Sequence, residues 1–440
     1  MPTDILSRRQ FLKLAGLSAA GALTGCAANP VTGQQQFMLM SPSQEIDVDK
    51  KNAPHQFSTD YGTTSDTALN AYVSSTGAAM ARHVHRPDMP YNFHCVDAVY
   101  VNAYAFPGGS IACTRGIMLT LENEAELSAL LGHELGHVNA RHTASRMSKG
   151  MVISALATGV AAYVGTRQKS YAALAAGLGG VASGALLAFY SREDERQADS
   201  LGMEYMVKSG YSPKGMVGLQ QHLVDLHDKK PSALDMLFAS HPMSEERREN
   251  AINEMDEFYA NAKGLPLGRE RFMDSTASLR ARRKAIEALQ DGEKHMGKKQ
   301  FADAEKKFSQ ALKDMPDDYA GLLMMSKCQL ALKHDAEAAR YAKTAHEVKP
   351  AEPQALHMKG MASLGLGDSA GALRAFHDYE RMLPGNANTV YLKGVCLESM
   401  GQRDAAAREY SRFLQSGGEG EFATHAYGRL QNWGYIRPKR

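Results

Sequence analysis

Residues 123–142 read NEAELSALLGHELGHVNARH, and the prediction of the fold begins from this stretch. Acidic residues stand in its first turn and apolar residues recur behind them, which predicts one long helix from about Asn123 to Met147. Within that helix His133 and His137 are four residues apart. Four helical residues turn through about 400°, so both imidazoles lie on one face, a spacing that suits a single bound ion.

Glu134 completes an H-E-x-x-H pattern between the two histidines. Its carboxylate lies beside the imidazoles, where it can reach a water on a bound metal ion and accept its proton. A helix that carries two histidines by chance is the alternative. The apolar residues 129–131 weaken that alternative because they predict that the helix is buried.

A second charged segment, Ser191–Asp199, offers a third ligand. Catalytic zinc takes three protein ligands and keeps one position open for water. Glu195 and Asp199 are four residues apart, so both can face the site; one would bind the metal and the other would orient a histidine. Glu193 and Asp194 are competing ligands. The alternative is that this segment is an exposed charged helix that binds no metal.

Two strand-like runs precede the metal motif, Tyr91–Tyr104 and Ile111–Leu119, with a turn at Pro107–Gly109 between them. Helical patterns come earlier, around 43–61 and 67–82. Cys95 and Cys113 fall within the two strand-like runs. The sequence allows either a disulfide between them or a pair of free buried thiols.

Residues 1–25 carry an export signal. Arg8 and Arg9 begin a twin-arginine pattern, and the apolar run that follows, 14–23, is too short to cross a bilayer. Residues 23–26 resemble a bacterial lipobox, which predicts acylation of Cys26, and Ala27 favours sorting to the outer membrane. A non-lipidated signal and a chance arginine pair are the alternatives. We expect 26–42 to be a tether.

The basic residues of this signal account for the whole formal net charge of +2. The remaining chain is neutral, which argues against a broad nucleic-acid-binding surface. Residues 151–190 are rich in alanine, glycine, valine and leucine. We favour a buried or interfacial helical hairpin there over a membrane span, because glycines and small side chains keep the hydropathy low.

The last third repeats every 34 residues. A small residue, an alanine, a large residue and a proline recur in register; the first two marks stand at Gly292, Ser326, Gly360 and Gly394, and at Ala304, Ala338, Ala372 and Ala406. This period is typical of tetratricopeptide repeats, in which two helices of a hairpin approach closely at the small residues. We predict a linker helix over 266–284 and an α-solenoid over 285–440, closed by a cap helix at Phe422–Trp433.

Residues 133–142, 191–199 and 240–247 together resemble the gluzincin peptidases related to the CAAX prenyl proteases and HtpX. Asn102–Gly109 is also similar to that family's approach to its edge strand, and the likeness covers about residues 45–260. The resemblance implies one Zn²⁺ bound by His133, His137 and Glu195, with Glu134 as general base. It leaves Asp199 as the residue that orients a histidine.

His241 has two possible roles in such a site. It can donate to the oxyanion of the tetrahedral intermediate, or it can occupy the open zinc position and hold the enzyme latent. A His-Pro turn without chemistry is the third reading. Arg247 pairs either with an acidic residue of the site or with a surface carboxylate.

We therefore predict a mainly α chain: an α+β zinc metallopeptidase domain over 43–265, followed by the repeats. The predicted function is endopeptidase activity on unfolded or misassembled outer-membrane proteins in the bacterial periplasm, with repeats that recruit substrates or the outer-membrane assembly machinery. We expect Ile111–Leu119 to be the edge to which an extended substrate adds as a strand. A chaperone or scaffold with a latent zinc site, and a membrane-embedded peptidase, are the alternatives.

Overall fold

The computed structural model describes residues 26–150, 190–229, 237, 240–241 and 245–436. The predicted export signal and residues 151–189 of the predicted hairpin lie outside these ranges. Among the helices within them, none is both long enough and apolar enough to cross a membrane. The prediction of a mainly helical chain with a small sheet, followed by helical repeats, is confirmed.

The segment predicted as a tether is folded. Strand β1 (Cys26–Ala28) pairs antiparallel with strand β2 (Gln35–Phe37). The turn between them is tied to the body of the protein, because the Asn29 side-chain amide donates to the Ala140 carbonyl oxygen across 3.4 Å. Helix α1 (Pro42–Thr59) follows, and helix α2 (Thr67–Met80) comes next.

Three strands form the main sheet: β3 (Asn92–Val96), β4 (Ala103–Ala105) and β5 (Ser110–Thr114), in the order β3-β5-β4. Strand β5 is parallel to β3 and antiparallel to β4. The prediction that Ile111–Leu119 forms an edge is therefore wrong, because β5 is paired on both sides. The same run also leaves the strand at Thr114 and continues as the short helix α3 (Arg115–Met118).

Cys95 and Cys113 lie directly opposite each other on β3 and β5. Both are free, buried thiols. Of the two alternatives left open by the sequence, the structure has the reduced pair.

Helix α4 (Glu124–Asn139) carries the H-E-x-x-H pattern and packs against helix α5 (Arg192–Lys208). The two helices meet at small residues. A Cβ added at Gly136 would lie 2.8 Å from the Ala198 carbonyl oxygen, and one at Gly202 would lie 2.8 Å from the His133 backbone nitrogen. This close approach brings the acidic face of α5 against the two histidines of α4.

The predicted long helix over 123–147 is in fact broken. Helix α4 ends at Asn139, Arg141 takes a left-handed φ of 61°, and helical residues resume at 142. Residues other than glycine rarely adopt this φ, so contacts with the surroundings must stabilise the backbone of Arg141. The Arg141 guanidinium donates to Glu45 Oε1 at 2.9 Å and to the Met40 carbonyl oxygen at 2.6 Å.

Two further helices, α6 (Lys214–Lys229) and α7 (Glu245–Phe258), complete the body around the site. The linker was predicted as one helix over 266–284. It instead contains two short helices, α8 (Arg269–Ser275) and α9 (Ala277–Ala281), before the repeats begin. The predicted domain boundaries stay predictions.

The repeats are four helical hairpins. Their eight helices are α10 (Arg283–Gly297), α11 (Phe301–Asp314), α12 (Tyr319–Ala331), α13 (Asp335–Val348), α14 (Gln354–Gly365), α15 (Ser369–Met382), α16 (Ala387–Ser399) and α17 (Arg403–Gln415), and α18 (Gly420–Asn432) caps them. The small residue of the repeat is needed for packing. A Cβ at Gly292 would lie 2.2 Å from the Phe308 ring of the facing helix.

The first repeats are docked on the α+β part of the chain through buried polar contacts. Arg115, which opens α3, makes two bonds to Asp318, at 2.5 and 2.9 Å. The Lys349 ammonium lies 3.0 Å from Asp97, and the Gln290 amide donates to the Val99 carbonyl oxygen at 2.7 Å. The repeats therefore form one packed body with the domain that precedes them.

Candidate metal centre

Four buried side chains converge beside the crossing of α4 and α5: His133, His137, Glu195 and His241. Each offers one ligand atom, and the four atoms all lie within 4.8 Å of one another. His133 and His137 occupy one face of α4, Glu195 comes from the first turns of α5, and His241 comes from the segment before α7. The structure thus brings together three predicted zinc ligands and the residue with an undecided role.

The distances within this set suit a tetrahedral ion. His133 Nε2 lies 3.1 Å from His137 Nε2 and 3.2 Å from His241 Nδ1. Glu195 Oε1 lies 3.3 Å from His137 Nε2 and 3.1 Å from His241 Nδ1. Zinc bonds of about 2.0–2.1 Å arranged tetrahedrally separate neighbouring ligand atoms by about 3.3 Å. The donor set therefore fits one zinc ion, with His241 as a fourth donor.

Proton positions on His133 agree with this fit. Its Nδ1 lies 2.9 Å from Asp199 Oδ1, and an ionised carboxylate can only accept a hydrogen bond. Nδ1 therefore carries a hydrogen, and in the neutral ring the lone pair is on Nε2, which points at the other donors. A cation placed among them removes the repulsion between lone pairs. Burial lowers the pKa of His133, but Glu195 and Asp199 raise it more, so a bound cation must compete with a proton for Nε2.

Asp199 is itself held by charge. The Arg247 guanidinium spans both of its oxygens, with Nε 2.7 Å from Oδ2 and Nη2 2.6 Å from Oδ1, and its Nη1 lies 2.7 Å from Glu195 Oε2. Gln220 donates to Asp199 Oδ1 at 3.3 Å. Of the two readings for Arg247, the structure has the pairing with acidic residues of the site.

The electrostatics set useful protonation states. Burial, the largest influence, raises the pKa of Glu195, but His241, Arg247 and His133 together hold it well below its usual range. Burial holds the pKa of His137 well below its usual range, against the raising influence of a hydrogen bond to Glu195, which would accept from the ring. An ionised carboxylate and a neutral imidazole are the forms in which these groups bind a metal.

Glu134 lies in the same buried pocket without joining the donor set. Its Oε1 is 3.8 Å from His241 Nε2, and its Oε2 has no hydrogen-bond partner in the part of the chain that the structure describes. Burial raises the pKa of Glu134. A carboxylate with a raised pKa and a free oxygen is suited to move a proton near neutral pH.

The competing ligands are turned away from the donor set. Glu193 pairs with Arg196 on the surface, and Asp194 caps α5 by accepting from the Ser191 backbone and hydroxyl. Asp194 also approaches His142, with 3.6 Å between Oδ1 and Nε2.

Sequence reasoning gave no role to two neighbours of His137. His142 Nδ1 lies 2.9 Å from His137 Nδ1, and the Tyr190 ring stacks on the His137 ring with centroids 3.7 Å apart. In an unbroken helix His142 would lie about 140° around the axis from His137. Only the break at Arg141 brings the two rings together, so helical spacing could not have found this contact.

Comparison with known proteins agrees with this geometry. Residues 67–255 match the sequence model of peptidase family M48, and residues 295–361 match that of a tetratricopeptide repeat. Residues 67–255 form an M48 peptidase domain. This confirms the resemblance carried by the sequence motifs.

Relatives of the M48 domain and repeats are distant. The chain is 29% identical over 191 residues to the beta-barrel assembly-enhancing protease of Yersinia pestis, which covers 43% of this chain and 39% of that relative. It is 26% identical over 279 residues to a putative beta-barrel assembly-enhancing protease of Vibrio cholerae, covering 58% of this chain and 57% of the relative. It is 32% identical over 161 residues to the metalloprotease YcaL of Escherichia coli, covering 37% and 61%.

Proposed function

We propose that this chain is a zinc-dependent endopeptidase that hydrolyses unfolded polypeptides in the bacterial cell envelope. The observation that carries the proposal is the set of His133, His137 and Glu195 with Glu134 beside them, whose Oε2 has no hydrogen-bond partner among the described residues. A purely structural zinc site needs no such carboxylate. The M48 match and the relatives named as proteases support the same reaction class.

Each residue has a distinct role. His133, His137 and Glu195 would hold the ion, which when bound activates water and polarises a peptide carbonyl. Glu134 accepts the proton of the attacking water and returns it to the departing amine. Asp199 fixes the tautomer of His133, and Arg247 keeps Asp199 and Glu195 ionised and in place.

His241 Nδ1 is as close to the other donors as they are to one another. Four protein ligands leave no open position, which is the arrangement of a structural rather than a catalytic zinc site. We infer that this arrangement is a latent state and that His241 must leave the donor set before hydrolysis begins. Donation to the oxyanion is the role it would take once displaced.

Strand β4 is the proposed substrate edge in place of the central β5. The Thr114 N–H donates to the Asn102 carbonyl oxygen, and the Phe106 N–H donates to the Ser110 carbonyl oxygen. Asn102 and Phe106 therefore belong to hydrogen-bonded pairs of the β4–β5 ladder. Bonded pairs alternate in an antiparallel ladder, so the peptide groups of Ala103 and Ala105 point away from β5. The three residues of β4 are at most 2% exposed, so an extended polypeptide would add there once the segments that cover the strand move aside. This mode favours unfolded substrates because their backbone groups are free.

We further propose a substrate class, a partner and a location for this peptidase. The relatives named beta-barrel assembly-enhancing proteases support unfolded outer-membrane proteins as substrates and the outer-membrane assembly machinery as a partner of the repeats. We propose that the chain is exported by the twin-arginine route and tethered in the periplasm to the outer membrane through acylated Cys26. The twin-arginine pattern and the lipobox-like residues within 1–27 of the sequence support this export and tethering.

A chaperone or scaffold is the second candidate, favoured by the closed donor set with His241. Glu134→Gln separates it from the peptidase. We expect wild type and variant to bind equal zinc, whereas cleavage of an unfolded outer-membrane protein falls by at least about 10²-fold in the variant. Both forms are also measured in the His241→Ala background, so that latency does not hide activity. Equal cleavage by the matched forms would refute the mechanism.

A further inference from the structure

The outer nitrogen of His137 faces an imidazole, whereas that of His133 faces a carboxylate. His137 Nδ1 lies 2.9 Å from His142 Nδ1, and His142 Nε2 lies 2.9 Å from Gln197 Oε1. All three side chains lie between α4, α5 and the helical residues that begin at 142. His137 and His142 are both buried.

Hydrogen positions along this chain follow from its outer end. The amide oxygen of Gln197 can only accept, and Asp194 Oδ1, 3.6 Å from the same nitrogen, is a second acceptor. His142 Nε2 therefore carries the hydrogen of the neutral ring, and its Nδ1 has the lone pair. His137 Nδ1 must then donate to it, which leaves the lone pair of His137 Nε2 directed at His133 and Glu195.

We propose that His142 is a positioning residue that fixes the tautomer of His137 through the relay Gln197–His142–His137. The inference rests on the proposed zinc site. With Nδ1 held by His142 and one face covered by Tyr190, the His137 ring can neither flip nor tilt.

A neutral relay has a physical advantage at this position. Glu134, Glu195 and Asp199 already place three buried carboxyl groups around the site, and Arg247 pairs with Glu195 and Asp199. A further buried carboxylate on His137 would add repulsion and desolvation cost. An imidazole backed by an amide orients the ligand without a further buried carboxylate on His137, since Asp194, the second acceptor of His142, is 26% exposed.

The test uses three full-length forms. His142→Asn keeps an acceptor, because Asn Oδ1 is as many bonds from the backbone as His Nδ1. His142→Leu has nearly the shape of that asparagine and no acceptor. Zinc dissociation constants come from chelator competition, and thermal unfolding of each zinc-free form reports packing. We expect a 10- to 100-fold weaker affinity for the leucine variant, as for other lost partners of metal-binding histidines, and a recovered affinity for the asparagine variant.

A second measurement does not depend on zinc. Long-range ¹H–¹⁵N spectra of the histidine rings in zinc-free wild type should show the hydrogen of His137 on Nδ1. Hydrogen on Nε2 would overturn the relay, as would unchanged zinc affinity in His142→Leu or equal losses in both variants. A wild type that binds no zinc, yet shows the Nδ1 tautomer, would overturn the proposed function and leave the relay standing.

Discussion

The ion pair between Arg115 and Asp318 sets how firmly the repeats hold the M48 domain. Two parallel bonds of 2.5 and 2.9 Å join them, and their side chains are only 5% and 6% exposed. Burial raises the pKa of Asp318, but Arg115 lowers it more, so the carboxylate is ionised. We consider Asp318→Asn, which removes the charge and strands the Arg115 guanidinium in the interface.

The expected cost follows from burial. Removing one partner of a buried pair costs about 3–5 kcal/mol, because the remaining charge is uncompensated. Asp318 also caps α12 by accepting from the Gly321 backbone N–H at 2.8 Å. Asparagine caps a helix as well as aspartate does, so the asparagine variant isolates the ion pair. Asp318→Ala should lose about 1 kcal/mol more, the typical contribution of a cap.

Hydrogen exchange under native conditions measures this cost locally. A loss of about 3 kcal/mol lowers protection by about 10²-fold, and we expect it in residues 97–101 and in α12 alike. Asp303→Asn on α11 is the matched control: its partner Lys306 is 77% exposed, and an exposed pair contributes less than about 1 kcal/mol. Adding Arg115→Met to Asp318→Asn should recover much of the loss. A change below about 1 kcal/mol for Asp318→Asn alone would refute the reasoning.

Two further predictions concern His241 and Glu293. His241→Ala should keep one zinc per chain on the remaining three ligands and cleave peptides faster than wild type, measured by metal analysis and turnover; slower turnover with zinc retained would instead assign His241 to the oxyanion. Burial raises the pKa of Glu293 to about 7, against the lowering influence of Lys327 and a hydrogen bond with Tyr61. The folded state then holds this proton more tightly than the unfolded state does. The stabilisation from protonated Glu293 is therefore complete below about pH 4.5 and is lost as pH rises through 7, which lowers the free energy of unfolding by about 3 kcal/mol in all. Glu293→Gln should flatten that part of the stability profile, and an unchanged slope would show that another group causes it.

Local geometry explains what could be predicted. Two histidines four residues apart share a face of any helix, and a 34-residue period of small and large residues builds helical hairpins wherever the chain lies. The positions of Glu195 and Asp199 followed because a second helix with acidic residues four apart can present both to one site. These are properties of neighbours along the chain.

The order of the sheet was beyond such reasoning. Alternation of side chains marks β5 as a strand but is the same for a central and an edge strand, because pairing depends on which strands lie beside it. The fold of 26–42 escaped prediction for a similar reason. Its polar residues are typical of a linker, and the hydrogen bond from Asn29 to the carbonyl oxygen of Ala140, which helps to hold the segment in place, joins residues far apart along the chain.

The sequence by itself determined the helix that carries His133, Glu134 and His137, the acidic residues of the second helix and the repeats, since helical spacing and repeat period are local quantities. Tertiary structure alone decided that His241 closes the donor set, that Arg141 breaks the helix and turns His142 onto His137, and that Arg115 meets Asp318. Each of these depends on contacts between distant segments, whose free energies come from burial and charge pairing that no local pattern records.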